Sequence, residues 1–242
     1  MYAEDVLITQ SLSLKEKITV DGKYSVFDEW KKSSQNYIEY DDGTRLIIRS
    51  AHDTENFYFM LNLPSDTVGA RGLDFGIICL DVKNNKSITP DKDDYCFYVM
   101  LDGKSQSLQG GAPFKATKNF ETITIEHYSA SGTMSDENDR YTPIPHTGYE
   151  FVIPISELGY SDNYGMYVHV FDYNEGKIYS WPKNLELDSF MDVPSPSLWG
   201  NMISPDKTIP EFEIPMIILL SSLFFVIWRT RLFTRMSLVI KK

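Results

Sequence analysis

The sequence predicts an all-β chain, an antiparallel β-sandwich of immunoglobulin or jelly-roll type, followed by one C-terminal transmembrane helix. Short apolar and aromatic runs recur between residues 17 and 181, separated by turn residues, and many short strands at this spacing are typical of a sandwich. The chain has 15 Tyr, 14 Phe and 4 Trp, a composition that suits sheet cores. The helix prediction comes from Ile214–Trp228, a run without charged residues.

Nine segments are predicted as strands, and helical periodicity is hard to find. Arg45–Ala51 and Phe57–Leu63 flank a polar turn and should form a hairpin. Tyr164–Tyr173 alternates with period two, which predicts Tyr167, His169, Phe171 and Tyr173 on one face and Met166, Val168 and Val170 on the other. The other predicted strands are Lys17–Val20, Leu73–Val82, Tyr95–Leu101, Phe120–Tyr128, Tyr149–Ile155 and Lys177–Trp181, with a helical turn near Ser156–Tyr160.

The apolar run near the C-terminus is predicted to enter a membrane. Its 15 residues are fewer than the ~20 of a spanning helix, and extension to Phe233 supplies the length if the arginine side chains snorkel. Apolar residues occupy every face of the helix, which favours a bilayer over the alternative of a buried core helix. The chain after Trp228 carries five basic residues and no acidic one, which marks that side as cytoplasmic.

The large N-terminal part is therefore expected outside the cell, on a single-pass protein of the cell membrane. Met1–Asp5 lacks the charged and apolar regions of a signal peptide. Two explanations compete: the assigned start lies after a lost signal, or the chain is tail-anchored with its domain in the cytoplasm. The first is favoured.

Net charge and the absence of known catalytic motifs limit the classes of function that the sequence predicts. The residues before 214 include 18 basic against 34 acidic ones, a formal charge of −16. Such a surface repels phosphate backbones, so no nucleic-acid partner is expected, and it suits divalent cations. No P-loop, dinucleotide fingerprint, G-x-S-x-G or HExxH motif is present, so no enzymatic activity is expected.

The predicted organisation has four parts: a sandwich binding domain (1–182), a proline-containing tether (183–213), the transmembrane helix (214–233) and a basic tail (234–242). Six of the twelve prolines fall between Pro182 and Pro215. Proline removes ladder donors and stiffens the chain, so this stretch is a tether or a strap along the domain.

Cys79 and Cys96 are the only cysteines, and each lies inside a predicted strand. If the hairpin centres on the loop between them, they lie opposite each other and form a disulfide in an oxidising compartment. The alternative is two buried thiols that fill core space.

The loop between the cysteines is dense in carboxylate and amide oxygens. Calcium prefers such ligands, which makes Asp81, Asp93 and Asp94 candidate ligands; a solvated acidic loop is the alternative. Asn85-Lys86-Ser87 is a glycosylation sequon, compatible with an extracellular surface loop.

Tryptophans and histidines are the candidate ligand-binding residues. Trp30, Trp181 and Trp199 lie near strand ends or loops, where an indole can stack on a sugar, although Trp30 is expected in the core and Trp199 could pin the tether. Trp181 is the preferred binding position. A haem cofactor would need an axial pair, drawn from Met100, Met134, Met166, His146 and His169, which spacing alone does not pair.

Three motifs carry a family resemblance: Val20-Asp21-Gly22, Asp28-Glu29-Trp30 and Ser50–Phe59. They resemble the opening of family 9 carbohydrate-binding-module-like domains, which belong with the DOMON-like sandwiches and the haem-binding subunit of ethylbenzene dehydrogenase. A looser match extends over most of residues 17–182. The resemblance implies a binding sandwich, since the family includes sugar binders that hold a ring between two tryptophans, haem carriers and members with no known ligand. Trp181 matches as a stacking residue.

Pro210, Glu211 and Phe212, with the apolar span and arginines that follow, resemble the PEF-type C-terminal sorting signals of archaeal surface proteins. In such proteins an archaeosortase cuts the tail and attaches a lipid, as in a GPI signal. The resemblance implies anchoring at the cell surface.

The sequence therefore predicts a membrane-anchored, outward-facing module that binds a carbohydrate or another surface ligand, or serves in the envelope. The first alternative is a haem-binding, DOMON-like electron-transfer subunit. The second is a structural surface protein without a small ligand, associated with another envelope protein.

Overall fold

A computed structural model describes residues 5–12, 18–24, 29–112 and 119–205. These residues form two β-sheets with very little helix. The strands are β1 (Val6–Ile8), β2 (Gln10–Ser11), β3 (Ser34–Glu39), β4 (Arg45–His52), β5 (Asn56–Leu63), β6 (Phe75–Asp81), β7 (Asp94–Met100), β8 (Ser105–Gln109), β9 (Glu121–Ile123), β10 (Ser129–Met134), β11 (Thr147–Pro154), β12 (Asn163–Asp172), β13 (Lys177–Trp181) and β14 (Gly200–Ile203). One helical turn, α1 (Ile155–Leu158), and one 3-10 turn, Pro196–Leu198, complete the description.

The larger sheet has the strand order β1-β14-β12-β6-β7-β8-β9, and β13 also pairs with β12. The smaller sheet has the order β10-β11-β5-β4-β2, and β3 also pairs with β4. The β1–β14 and β2–β4 pairs are parallel, whereas the other pairs between described strands are antiparallel. The predicted antiparallel β-sandwich is confirmed.

The predicted hairpins and the alternation of β12 are confirmed. β4 pairs with β5 across a short turn, and β6 pairs with β7 across the longer loop of residues 82–93. In β12, Met166 and Val168 point into the main core, while Tyr167 and Phe171 pack on the outer face of the larger sheet. The predicted helical turn is α1, which begins one residue earlier than expected.

Two strand predictions need correction. Within the predicted strand Phe120–Tyr128, only Glu121–Ile123 is extended and paired. The chain then turns, with the Tyr128 amide donating to the Ile125 carbonyl and His127 at a φ of 62°. Of the predicted strand Lys17–Val20, residues 18–20 are described and are not in a strand.

The sandwich continues past the predicted boundary at residue 182. β14 lies between β1 and β12 in the larger sheet, although it falls within the predicted tether. Between β13 and β14, Leu185, Val193 and Trp199 pack on the outer face of that sheet. This part of the proline-rich stretch therefore forms a strap along the domain.

The predicted C-terminal features lie beyond the described residues. They are the transmembrane helix (214–233), the basic tail (234–242) and the sorting motif Pro210, Glu211 and Phe212. Among the residues that are described, no helix has the length and apolar character needed to cross a bilayer.

Both sheets are covered on both faces, at least in part. The main core lies between the sheets. A second apolar cluster, which includes Phe75, Ile77 and Phe171, covers the outer face of the larger sheet. A third, built on Trp30, Tyr24 and Met60, covers the outer face of the smaller sheet. Because β6 is enclosed from both sides, all seven of its residues are buried, which explains its continuous apolar sequence.

The predicted disulfide between Cys79 and Cys96 is confirmed. The two residues are register partners in β6 and β7, with a Cα–Cα distance of 4.0 Å. Both side chains belong to the outer cluster of the larger sheet.

We expect the double variant Cys79→Ala/Cys96→Ala to be less stable than the natural protein by about 3 kcal/mol, because the bridge limits the freedom of the unfolded chain. Urea unfolding of both proteins measures the difference. Reduction should lower the midpoint of the natural protein and leave that of the double variant unchanged. Equal midpoints for the oxidised and reduced natural protein would refute a stabilising role.

Candidate functional site

The three tryptophans predicted to bind a ligand are buried. Trp30 is 0% exposed, and its indole Nε1 donates to Glu150 Oε1 at 2.7 Å. Trp199 is 3% exposed and donates from Nε1 to the Pro194 carbonyl at 2.9 Å, so it pins the strap. Trp181 is 4% exposed and lies in the main core. None of the three presents an open ring face here, and a ligand-binding role for them stays a prediction.

Asp81 and Asp94 are register partners across β6 and β7, but with Asp93 they do not form a metal-type grouping among the described residues, and calcium binding there stays a prediction. Asp81 accepts hydrogen bonds from the amides of Asn85 and Lys86 at 3.2 and 3.0 Å. Asp93 Oδ1 pairs with Lys83 Nζ at 3.0 Å. Burial, together with the charge of Asp81, raises the pKa of Asp94 to about 7. These carboxylates organise their own loop, and the metal-type grouping of the described residues lies elsewhere.

The predicted glycosylation site is on the surface. Asn85 is exposed, and its Nδ2 donates to Asp91 Oδ2 at 3.0 Å and to Asp93 Oδ2 at 3.3 Å. Glycosylation of Asn85 stays a prediction.

The residues considered for haem ligation are dispersed. His146 is buried, with Nδ1 3.0 Å from Ser135 Oγ. His169 is also buried, and burial lowers the pKa of its imidazole to about 3, so the ring is neutral. Met166 packs in the main core, on the opposite face of β12 from His169, so these two residues cannot ligate one iron. Haem binding stays a prediction.

A cleft that could hold a small ligand lies between the strap and the outer face of the larger sheet. This outer cleft has a volume of about 290 Å³, at the lower end of the range of small-molecule sites. Its apolar lining comes from Ile77, Cys96, Leu108 and Phe120, and its strap side from residues 189–193.

A line of polar side chains crosses three strands in the outer cleft. Tyr98 Oη on β7 donates to Gln106 Oε1 on β8 at 2.7 Å, and Gln106 Nε2 donates to Thr122 Oγ1 on β9. Register sets this arrangement, because Tyr98 pairs directly with Gln106, and Thr122 lies opposite Leu108. The result is an aromatic ring beside an amide and a hydroxyl on a rigid sheet.

The charge of the outer cleft favours neutral ligands. Ser189 and Asp192 from the strap add a hydroxyl and a carboxylate to the polar groups of the sheet. No lysine or arginine is among the described residues that line the cleft. An anionic ligand would meet no compensating charge there, whereas a polyhydroxylated ligand finds both donors and acceptors.

The sequence does not reveal the outer cleft because its residues are ordinary in their local context. Tyr98 and Cys96 lie in a strand that was predicted, but Gln106 lies in β8, whose sequence SQSLQ has little apolar signal. The strap residues are more than 65 positions further along the chain. The one sequence feature that could have pointed to the outer cleft is the alternation in β7, which puts Cys96 and Tyr98 on the same face.

A second polar feature is a group of three buried aspartates, Asp66, Asp74 and Asp172, here called the aspartate cluster. One carboxylate oxygen from each lies within 4.8 Å of the others. Asp66 follows β5, Asp74 precedes β6 and Asp172 ends β12, so the fold brings together residues that are distant in sequence.

With this geometry in place, the chain can be compared with known proteins. No protein-family model and no curated protein matches it. Among solved structures it is similar to a family 9 carbohydrate-binding module from Caldicellulosiruptor kristjanssonii in complex with cellotriose, with a TM-score of 0.55 and 14% identity over 83% of this chain and 93% of that one. A family 9 module from the same organism in complex with glucose has a TM-score of 0.50 and 15% identity, over 83% and 95% of the two chains. These similarities show the fold: the chain is a β-sandwich like that of family 9 carbohydrate-binding modules.

Proposed function

We propose that the protein is a non-catalytic carbohydrate-binding module that holds a short neutral saccharide in the outer cleft. The observation that carries the proposal is the line of Tyr98, Gln106 and Thr122 beside an apolar lining. Sugars present apolar faces and hydroxyl edges, and this combination of groups can bind both. The structurally similar modules in complex with cellotriose and glucose support a saccharide over other neutral ligands.

The size of the outer cleft points to a small part of a glycan. A volume of about 290 Å³ suits one or two sugar units better than a long chain lying along a groove. The proposed ligand is therefore a monosaccharide, a disaccharide or the end of an oligosaccharide.

We also propose that the module acts on the outside of a membrane-anchored protein. The predicted span with basic residues only behind it supports this orientation. The Cys79–Cys96 disulfide adds support, because structural disulfides persist mainly in oxidising compartments. The exposed sequon at Asn85 is compatible with the same side of the membrane.

Saccharide binding is tested by titrating the full chain, purified in detergent, with glucose, cellobiose and cellotriose in a calorimeter. We expect the variant Gln106→Ala to bind at least one of them about tenfold more weakly than the natural protein, because it loses hydrogen bonds to the ligand and the partner of Tyr98.

The matched control is Gln109→Ala, on the same strand but outside the outer cleft, where Nε2 donates to the Lys92 carbonyl. It should keep the affinity of the natural protein. Thermal unfolding of both variants verifies that they are folded. If the folded natural protein binds none of the saccharides at millimolar concentration, or if Gln106→Ala binds normally, the outer cleft is not a saccharide site.

A further inference from the structure

The aspartate cluster lies at one end of the sandwich and joins its two sheets. Asp66 follows β5 of the smaller sheet, and its backbone carbonyl accepts from the Thr147 amide of β11 at 3.0 Å. Asp74 immediately precedes β6 and Asp172 ends β12, and these two strands are neighbours in the larger sheet. All three residues are at most 3% exposed. Three carboxylates from both layers are thus enclosed in one place.

The spacing of the carboxylates fits a single shared ion. One oxygen from each residue lies within 4.8 Å of the other two. Calcium–oxygen distances are about 2.3–2.6 Å, so two oxygens on one calcium ion are at most about 5 Å apart. All three carboxylates can therefore reach one ion without rearrangement of the backbone.

Two hydroxyl groups outside the cluster provide an independent indication of a ligand. Tyr149 Oη and Thr147 Oγ1 are fully buried and, among the described residues, neither has a partner at full hydrogen-bond geometry, although Thr147 lies close to both Tyr149 and Asp66. The Tyr149 phenol interacts electrostatically with all three aspartates, and Thr147 lies beside Asp66. Buried polar atoms usually have a partner, so these two hydroxyls beside the aspartate cluster indicate a missing ligand.

Within the described part of the chain, no lysine or arginine forms an ion pair with the aspartate cluster. The ion pairs of the described residues that involve lysine or arginine are formed by other carboxylates. Hydrogen bonds reach Asp74 from the amides of Ala70 and Tyr173, and Asp172 from that of Glu175.

We propose that Asp66, Asp74 and Asp172 bind a calcium ion, with the hydroxyls of Thr147 and Tyr149 beside it. The ligand set is all oxygen, without the histidine or cysteine that zinc and copper prefer. Calcium accepts six to eight oxygens in irregular arrangements, whereas magnesium requires a near-ideal octahedron. The ion would link the loop after β5 to the ends of β6 and β12 and so hold the two sheets together.

The test is thermal unfolding of the full chain in detergent, first in chelator and then with added CaCl2. Calcium at about a hundred times its Kd should raise the Tm of the natural protein by roughly 5–10 °C. The variant Asp66→Asn should show no such rise. In chelator its Tm should equal or exceed that of the natural protein, because the substitution relieves repulsion between carboxylates.

The matched control is Asp94→Asn, which changes another buried aspartate with an unpartnered oxygen outside the aspartate cluster. It should keep the calcium-dependent rise in Tm. Terbium provides a second readout, since Tyr149 beside the ion should sensitise its luminescence in the natural protein and not in Asp66→Asn. The proposal is overturned if calcium leaves the Tm of the natural protein unchanged, or if Asp66→Asn responds as the natural protein does.

Discussion

Replacing Trp181 with alanine should destabilise the protein by about 3–5 kcal/mol, the usual cost of removing a large buried aromatic side chain. Trp181 is 4% exposed and packs in the main core. Its ring also lies against Gly200 of β14, where an added Cβ would be 2.4 Å from Trp181 Cη2. The loss would therefore weaken the contact between β13 and β14. Urea unfolding, followed by tryptophan and tyrosine fluorescence, measures it.

The control for this experiment is Tyr173→Ala, a change of an aromatic residue that is 52% exposed, with an expected cost below about 1 kcal/mol. The comparison shows whether Trp181 acts as a core residue, since the exposed Tyr173 sets the effect of removing an aromatic ring from the surface. If Trp181→Ala keeps its stability but loses saccharide binding, the sequence-based prediction of a stacking role for Trp181 is correct and the outer cleft loses its support.

Replacing Glu150 with alanine should cost about 3–5 kcal/mol, because three donors would lose their acceptor. Glu150 Oε1 accepts from Trp30 Nε1 at 2.7 Å, and Oε2 accepts from the amides of Asp21 and Gly22 at 2.8 Å each. Glu150 is 1% exposed, so water cannot easily replace it. The free energy of unfolding in urea is the measurement.

Glu39→Ala is the matched control for Glu150→Ala. Glu39 pairs with Arg45 at 2.6 Å, with both side chains more than half exposed, and such surface pairs contribute less than about 1 kcal/mol. A similar loss of stability in the two variants would mean that the Glu150 hydrogen bonds do not hold the segment containing Asp21 and Gly22 against the smaller sheet.

The strands that sequence reasoning identified are those with a strong local signal. β4 and β5, and likewise β6 and β7, are apolar runs joined by polar connections, and the alternation of β12 separates its two faces. The disulfide followed from the same hairpin register. The local sequence pattern was sufficient to predict strands and their pairing where segments that are neighbours in sequence pair with each other.

Other strands depend on partners that are distant in sequence. β3 and β8 have polar sequences, SQNYIE and SQSLQ, and become strands because they add to the sides of β4 and β7. β14 follows a proline-rich segment, and its partners are β12 and, from the far end of the chain, β1. The local sequence pattern does not predict pairings of this kind.

The candidate sites were also hard to predict, because their residues are distant in sequence. Sequence reasoning placed calcium at Asp81, Asp93 and Asp94 because they are close along the chain, whereas the aspartate cluster draws on positions 66, 74 and 172. Tryptophans near predicted strand ends suggested a binding face, but sequence cannot show that the strap and the second sheet bury them. The outer cleft combines four strands with the strap, so it exists only after folding.

The position of β14 between β1 and β12 determines how the domain responds to mechanical load. Hydrogen bonds join β14 to β12 on one side and to β1 on the other, so a force along the axis of β14 would load both ladders at once. The bonds of both ladders would then share the force and would not open one after another. Tension along β14 should therefore act on a strand that is held on both sides.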